Sequence, residues 1–377
     1  MQTTSRDGEC MIVCNLDMNT FFYEHEDNDI VCFGAGNEFK DMLHNFSEFP
    51  WHRKIISLLD NDCDKWGKDV VADHFAYRIM SPSEFFQREN RNFVLLICSS
   101  YYKSILSQLE NISSLNDCKC YIYEFMACKS LHENIPIKKD GAFLIPPMIH
   151  YCWFGKTEIP EHFKRCMESW RKFCPEYEII EWNEHNCDIK ENQFAFEAYQ
   201  AGKFGFVPDY FRLKIVYEHG GIYLDTDVEL LRNLDNLRRE EAFCGLERPG
   251  IVAFGLGFAA QKKNPILFKM LQRYQDMEFS MDSNQQKKFV SPALQTKDLV
   301  ALGMRPGNHW QKVGSMTIFP VEVLSPKHFI SGETEITDYS YAVHHYAASW
   351  LSDNLKSDIQ TKWRTAQEVL NRTSYPN

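Results

Sequence analysis

Gly220-Gly221-Ile222-Tyr223-Leu224-Asp225-Thr226-Asp227-Val228-Glu229 reads as a helix stop, a short buried strand and two carboxylates at the strand's end. Glycine at 220 and 221 suits the left-handed backbone that closes many helices. Ile222, Tyr223 and Leu224 form an apolar run of the kind that fills a buried strand. Asp225 and Asp227 stand one residue apart. On a continuing strand they share a face, and a tight turn also converges them. Two anions that close repel unless a cation lies between them. Oxygen ligands suit Mg2+ or Mn2+, which usually takes one or two carboxylates together with substrate phosphates. The stretch therefore predicts a divalent ion that holds a diphosphate. The plainer alternative is a solvated turn, because Asp is common in surface turns.

Upstream, Pro208 to His219 predicts a helix that starts at Pro208/Asp209, with Leu213, Val216 and Tyr217 at helical spacing. Asp209 and Arg212 share one of its faces. In one reading Asp209 caps the helix and Arg212 is its local ion partner. In the other that face points at a ligand. Asp209 then accepts sugar or ribose hydroxyls, and Arg212 meets phosphate or sugar oxygens.

In this order these residues resemble the core of the family 32 glycosyltransferases, relatives of the yeast α-mannosyltransferase that initiates outer chains. More distantly they resemble the clostridial glucosylating toxins. Two further segments carry the resemblance. Ile145-Pro146-Pro147-Met148-Ile149-His150-Tyr151-Cys152-Trp153-Phe154-Gly155 is similar to the family's opening strand and nucleotide-contacting loop. His344-His345-Tyr346-Ala347-Ala348-Ser349-Trp350 is similar to its closing motif. The resemblance covers residues 143–352.

It implies an α/β chain with the GT-A fold of nucleotide-diphospho-sugar transferases, a UDP- or GDP-sugar donor, Mn2+ or Mg2+, and retention of anomeric configuration. It implies catalytic roles for Asp209, Arg212, Asp225 and Asp227. The metal falls to Asp225, Asp227 and His344, with His345 second. Donor contacts fall to Trp153, Asp209, Arg212, Thr226, Ser349 and Trp350. Without the resemblance, Trp153 reads as core and the His pair as structural. The chemistry puts negative charge on the departing diphosphate, and preorganised cations stabilise such charge. No nucleophile is legible opposite the donor, so attack from the leaving group's own face is expected, with the diphosphate taking the acceptor's proton.

The first third of the chain reads differently. Asp29 to Leu43 is strand, glycine turn and helix, with Gly34-x-Gly36 in the dinucleotide pattern and Phe39 in place of its third glycine. Strands follow at Lys54–Asp62, Phe93–Cys98 and Tyr121–Glu124, which predicts a small Rossmann-like parallel sheet. Gly34, Gly36 and Asp60 are its candidate nucleotide loop; a structural or partner-binding domain is the alternative. A polar linker at Lys129–Gly141 separates residues 1–135 from a transferase domain at 136–377.

Later segments predict a helix at Pro160–Phe173, a strand at Glu178–Trp182 and a helix from Asn264-Pro265 to Gln275. Strands are expected at Ser315–Pro320 and Val321–Leu324, and an amphipathic tail helix at Leu355–Leu370. The charge run Arg232–Glu241 reads as a solvated surface. Docking on its own domain is expected of the tail helix, since the cationic excess of a membrane-surface helix is missing. Peripheral membrane association stays open.

With 377 residues there is room for two domains, and 44% apolar with 25% charged residues is an ordinary globular balance. A net charge of −11 argues against a nucleic-acid binder. The polar N-terminus predicts no signal peptide, and no run is long enough to span a bilayer. The 13 cysteines are scattered, so reduced thiols in a cytoplasmic protein are expected. Together these predict a cytoplasmic transferase moving a sugar to a saccharide or lipid-linked saccharide in bacterial surface polysaccharide synthesis. Two alternatives remain: a protein acceptor, as in the toxins, and a nucleotide-dependent oxidoreductase or epimerase run by the first domain. No Tyr-x-x-x-Lys pair supports the latter.

Overall fold

The computed structural model describes residues 11–72, 74–88, 92–131, 133–280, 291–347 and 353–373. The chain forms two compact units. One comprises Met1–Leu131, Ile330–Gly332 and Ile359–Asn377; the other comprises His132–Phe329 and Glu333–Asp358.

The first unit holds β1 (Ile12–Cys14), β2 (Asp29–Phe33), β3 (Ile55–Leu59), β4 (Asp69–Ala72), β5 (Phe75–Met80), β6 (Phe93–Ile97) and β7 (Lys119–Ile122). They pair in the order β1-β7-β6-β2-β3-β5-β4, parallel except for the edge pair β4–β5. Ile30 to Phe33 and Leu95 to Ile97 are buried along their whole length. This follows from a parallel sheet covered on both faces, and it made these strands legible as apolar runs. β4 and β5 escaped prediction because they alternate exposed and buried residues with charges between.

The tail helix, Asp353–Leu370, belongs at its C-terminal end to this unit, not to the transferase domain as the sequence suggested. Ala366, Val369 and Leu370 are buried in one cluster with Ile105, Leu106 and Leu109. Deleting residues 359–377 should therefore destabilise the first unit by on the order of 3 kcal/mol, the worth of two aliphatic side chains and a methyl group returned to water. Denaturant titration of the truncated chain checks this, and an unchanged midpoint refutes it.

The second unit holds β8 (Met148–Cys152), β9 (Glu178–Trp182), β10 (Gly221–Tyr223), β11 (Val228–Leu230), β12 (Ala242–Arg248), β13 (Ile251–Val252), β14 (Phe258–Ala260), β15 (Gln311–Val313), β16 (Met316–Phe319) and β17 (Ala342–His344). The main sheet runs β15-β16-β12-β14-β10-β8-β9, with β13 on β12, and β11 pairs β17 in a small second sheet. β9, β8 and β10 are parallel, whereas β14 is antiparallel to both of its neighbours. The mixed sheet, with the acidic loop after its parallel strand β10 and a small sheet beside it, makes this unit α/β. Side chains alternate between its faces. Ile222 and Leu224 enter one core with Trp170 and Phe243; Tyr223 enters the other with Phe211 and Phe258.

Two expectations fail here. Val321–Leu324 is a single helical turn, and the charge run at 232–241 is partly buried. Arg238 is 7% exposed and donates to the Ile145 carbonyl; Glu240 is 3% exposed and binds Lys138 and Thr317. Fixed partners, invisible to composition, account for both. Ile135, from the expected linker, is likewise buried in the second unit's core.

His150 on β8 is fully buried. Its Nε2 lies 2.8 Å from the Gly220 carbonyl, and its Nδ1 accepts the Trp182 indole N–H at 3.2 Å. This arrangement needs the neutral ring, and burial pushes its pKa down to about 4. Between pH 6.5 and 4 the unfolded chain binds the proton and the folded one does not, so stability falls as pH falls. The full loss is about 3 kcal/mol. Denaturation at pH 7 and 4.5 should show it, with a shallower slope for His150→Asn.

Candidate active site

The Val207–His219 helix ends at Gly220, which takes φ 73°. β10 follows, and the chain then turns at Thr226-Asp227 before β11. The Val228 N–H donates to the Asp225 carbonyl at 3.1 Å, so a turn, not a continuing strand, converges the two acids. β17 lies antiparallel to β11 with His344 opposite Val228, and this pairing delivers the closing motif to the acidic loop.

Asp227 is firmly held. Its Oδ1 lies 3.2 Å from His344 Nε2, and its Oδ2 accepts the Ala347 N–H at 2.8 Å. Burial opposes its charge, but His344 and that N–H outweigh burial and bring its pKa to about 2. Burial also opposes protonation of His344, yet Asp227 raises its pKa above the usual value. Ligand atoms of Asp225, Asp227 and His344 lie within 4.8 Å of one another. Two hard oxygens and one imidazole nitrogen fit a Mn2+ or Mg2+ ion. The His344 Nδ1 is buried without a hydrogen-bond partner among the described residues, and the Tyr346 ring packs edge-on against the imidazole. His345 is not part of the cluster: it turns to Glu229, 2.8 Å away.

Asp225 leans the other way. Its N–H donates to the Gly255 carbonyl at 3.0 Å, and its carboxylate lies 3.6 Å from Arg212. Gly255 packs so close that a Cβ there would overlap Asp225 Oδ2 and come within 3.2 Å of Arg212 Nη1. The glycine-rich stretch thus makes room for the acid. Gly255→Ala should cut turnover about tenfold by displacing a charge-stabilising carboxylate, with little change in fold. Unchanged rates would show that the loop simply yields.

Arg212 also lies 3.1 Å from Asp209, and its Nε–H donates to the Pro208 carbonyl at 3.2 Å. Asp209 is 5% exposed and Arg212 6%, and Phe206 occupies the N-cap position. The surface-cap reading of this pair is therefore not what the structure holds. Burial raises the Asp209 carboxyl to about 7 against the pull of Arg212. Burial disfavours the guanidinium charge, but Asp225 and Asp209 outweigh it and keep Arg212 protonated.

A cavity of about 400 Å³ opens over these groups, walled by Trp153, Arg212, Asp225, Thr226, Asp227 and His344. Trp153 donates its indole N–H to the Thr157 carbonyl at 2.7 Å and meets Phe163 edge-on, which fixes a ring plane at the wall. Asp209 stands behind Arg212 rather than at the wall. Ser349 and Trp350 lie outside the described residues. The sequence reading missed Glu247 and Tyr346, which also line the cavity, and Lys327, whose Nζ lies 3.3 Å from the His345 carbonyl oxygen. Glu247 is the penultimate residue of β12, and nothing local in the sequence says which edge of the sheet it reaches.

Gly34, Gly36 and Asp60 border a separate cavity of about 410 Å³ in the first unit, at the carboxyl ends of β2, β3 and β6. Gly34 has φ 111°, and a Cβ there would overlap the Cys98 carbonyl oxygen. Asp60 accepts N–H groups from Ala35 at 2.8 Å and Asp62 at 2.9 Å and pairs with Lys65 at 3.1 Å. These contacts staple the loop itself.

Residues 160–244 match the family described as a glycosyltransferase sugar-binding region containing a DXD motif. The matched region makes up less than a quarter of the chain. The chain is similar to inositol phosphoceramide mannosyltransferase 3 of Schizosaccharomyces pombe (strain 972 / ATCC 24843), 30% identical over 39% of this chain and 42% of that protein. It is also similar to inositol phosphoceramide mannosyltransferase 2 of the same organism, 34% identical over 26% of this chain and 29% of that protein. The chain spans less than half the length of these curated relatives. Among solved structures it is similar to the PaToxG glycosyltransferase, with 18% identity, a TM-score of 0.31, and coverage of 42% of this chain and 68% of that one. Among the described residues, no helix is long and apolar enough to cross a membrane.

Proposed function

We propose that the second unit is a metal-dependent, retaining glycosyltransferase that uses a nucleotide-diphosphate sugar, UDP- or GDP-linked, and a saccharide or lipid-linked saccharide acceptor. The observation that carries this reading is the meeting of Asp225, Asp227 and His344 within 4.8 Å at the wall of a cavity that also exposes Arg212. A divalent ion held by those three residues would supply positive charge to the departing diphosphate. Arg212, kept charged by Asp209 and Asp225, offers a planar donor fork to phosphate oxygens. Trp153 gives the nucleobase a flat apolar face, and Thr226 a hydroxyl beside the diphosphate. Ser349 and Trp350 complete the donor contacts in this proposal. The curated relatives are named mannosyltransferases, so mannose is the first sugar to test. Synthesis of bacterial surface polysaccharide at the cytoplasmic face of the membrane is the setting proposed. In the first unit, the Gly34–Gly36 loop and Asp60 remain the proposed place for a nucleotide.

The test is nucleotide release from UDP- and GDP-sugars with Mn2+, run with and without EDTA. Release that requires the metal supports the reading. Equal release in EDTA, or none from any donor, overturns it.

A further inference from the structure

We propose that Glu247 is the carboxylate that contacts the transferring sugar; this rests on the transferase reading above. Three acids line the cavity: Asp225, Asp227 and Glu247. The protein itself accounts for the first two, through Arg212 and Gly255 for one and His344 and Ala347 for the other. Among the described residues, Glu247 has no hydrogen-bond or ion-pair partner, although it is only partly exposed. Burial pushes its pKa up, and the nearby His344 and Arg248 offset this only in part, which favours a site where a ligand completes it.

Strand order brings Glu247 to the same cavity as the acidic loop. Tyr223, Phe258 and Cys244 form one row across β10, β14 and β12. β10 and β12 are both antiparallel to β14, so they run in the same direction and leave the sheet at the same edge. Past that row β10 passes into the acidic loop and β12 continues through Gly245 and Leu246 to Glu247, and the loop and Glu247 line one cavity. Within the row one strand separates β10 from β12, so their backbones are about 10 Å apart there. Glu247 lines the same cavity but is not one of the three residues whose ligand atoms cluster, and it lies near enough to His344 for each to shift the other's pKa. There a carboxylate accepts hydroxyl hydrogen bonds from the sugar and opposes the positive charge that grows at its anomeric carbon.

The experiment uses the full chain with Glu247→Gln and Glu247→Ala. Calorimetry reads the affinity of UDP and GDP in Mn2+, and nucleotide release reads turnover on UDP-glucose, UDP-galactose and GDP-mannose. The expected result is nucleoside diphosphate affinity within about twofold of the parent. Turnover should fall by about tenfold or more for Glu247→Ala and less for Glu247→Gln, and the preference among sugars should change. Parental turnover and preference in both variants overturn the proposal. So does loss of diphosphate affinity in step with turnover, which would place Glu247 in the metal cage. If Glu247→Ala does not fold, the isosteric Glu247→Gln carries the test. If the parent chain binds neither UDP nor GDP with Mn2+, the transferase reading itself fails and this role falls with it.

Discussion

Asp225→Asn and Asp227→Asn should each leave the chain folded and lower Mn2+-dependent nucleotide release by on the order of a hundredfold or more, the usual loss when a preorganised charge-stabilising group is removed. The two acids should fail in different ways. Asp227 holds His344 at 3.2 Å and the Ala347 N–H at 2.8 Å, so its neutral amide loosens the closing motif as well as the metal site. Asp225 shares Arg212 with Asp209, so its loss leaves the guanidinium one carboxylate short. Mn2+ titration of each variant separates the effects. Metal affinity should drop in both, and contact with the 344–347 segment should suffer only in Asp227→Asn. Parental rates in both variants with EDTA present would sink the metal hypothesis.

The parts of the molecule legible in the sequence are those where local chemistry and final environment agree. Glu178–Trp182 and Met316–Phe319 are short runs rich in apolar and β-favouring residues, and both are strands. Asn264 before Pro265 announces a helix, and its side chain does cap Ile266 and Leu267. The acidic loop was legible because two carboxylates one residue apart, straight after a buried strand, repel each other until a cation joins them. What escaped depends on distant partners. β4 and β5 carry charges on their open face, and their hairpin closes only against β3. The tail helix shows an apolar stripe, but a stripe does not name the surface that covers it. Arg238 and Glu240 look solvated until Ile145, Lys138 and Thr317 arrive from elsewhere in the chain. Glu247 reaches the cavity through strand order, which no local pattern encodes.

Arg212→Ala should be the most damaging single change to stability at this site, at about 3 to 5 kcal/mol, because it strips the cation from a buried group of acids. A surface helix-start pair would lose roughly 0.5 kcal/mol in the same experiment. The exposures of 5% and 6% for Asp209 and Arg212 place the pair firmly in the first case. Arg212→Lys keeps the charge and loses the planar fork, so it should fold and bind nucleoside diphosphate more weakly. Asp209→Asn tests the division of labour. The sequence pattern alone made Asp209 a sugar contact, which predicts a variant that binds the nucleoside diphosphate normally and the intact donor poorly. The structure puts Asp209 behind Arg212, 3.1 Å from its guanidinium, so its effect should pass through the arginine. Diphosphate and intact donor should then weaken together in Asp209→Asn, by a smaller factor than in Arg212→Lys. Titration of both variants with UDP or GDP and with the corresponding sugar nucleotide, in saturating Mn2+, distinguishes the cases. A selective loss of the sugar nucleotide in Asp209→Asn would mean that the carboxylate swings past Arg212 to reach the donor. Unchanged affinities and normal turnover in both variants would reduce the buried pair to a helix-end staple.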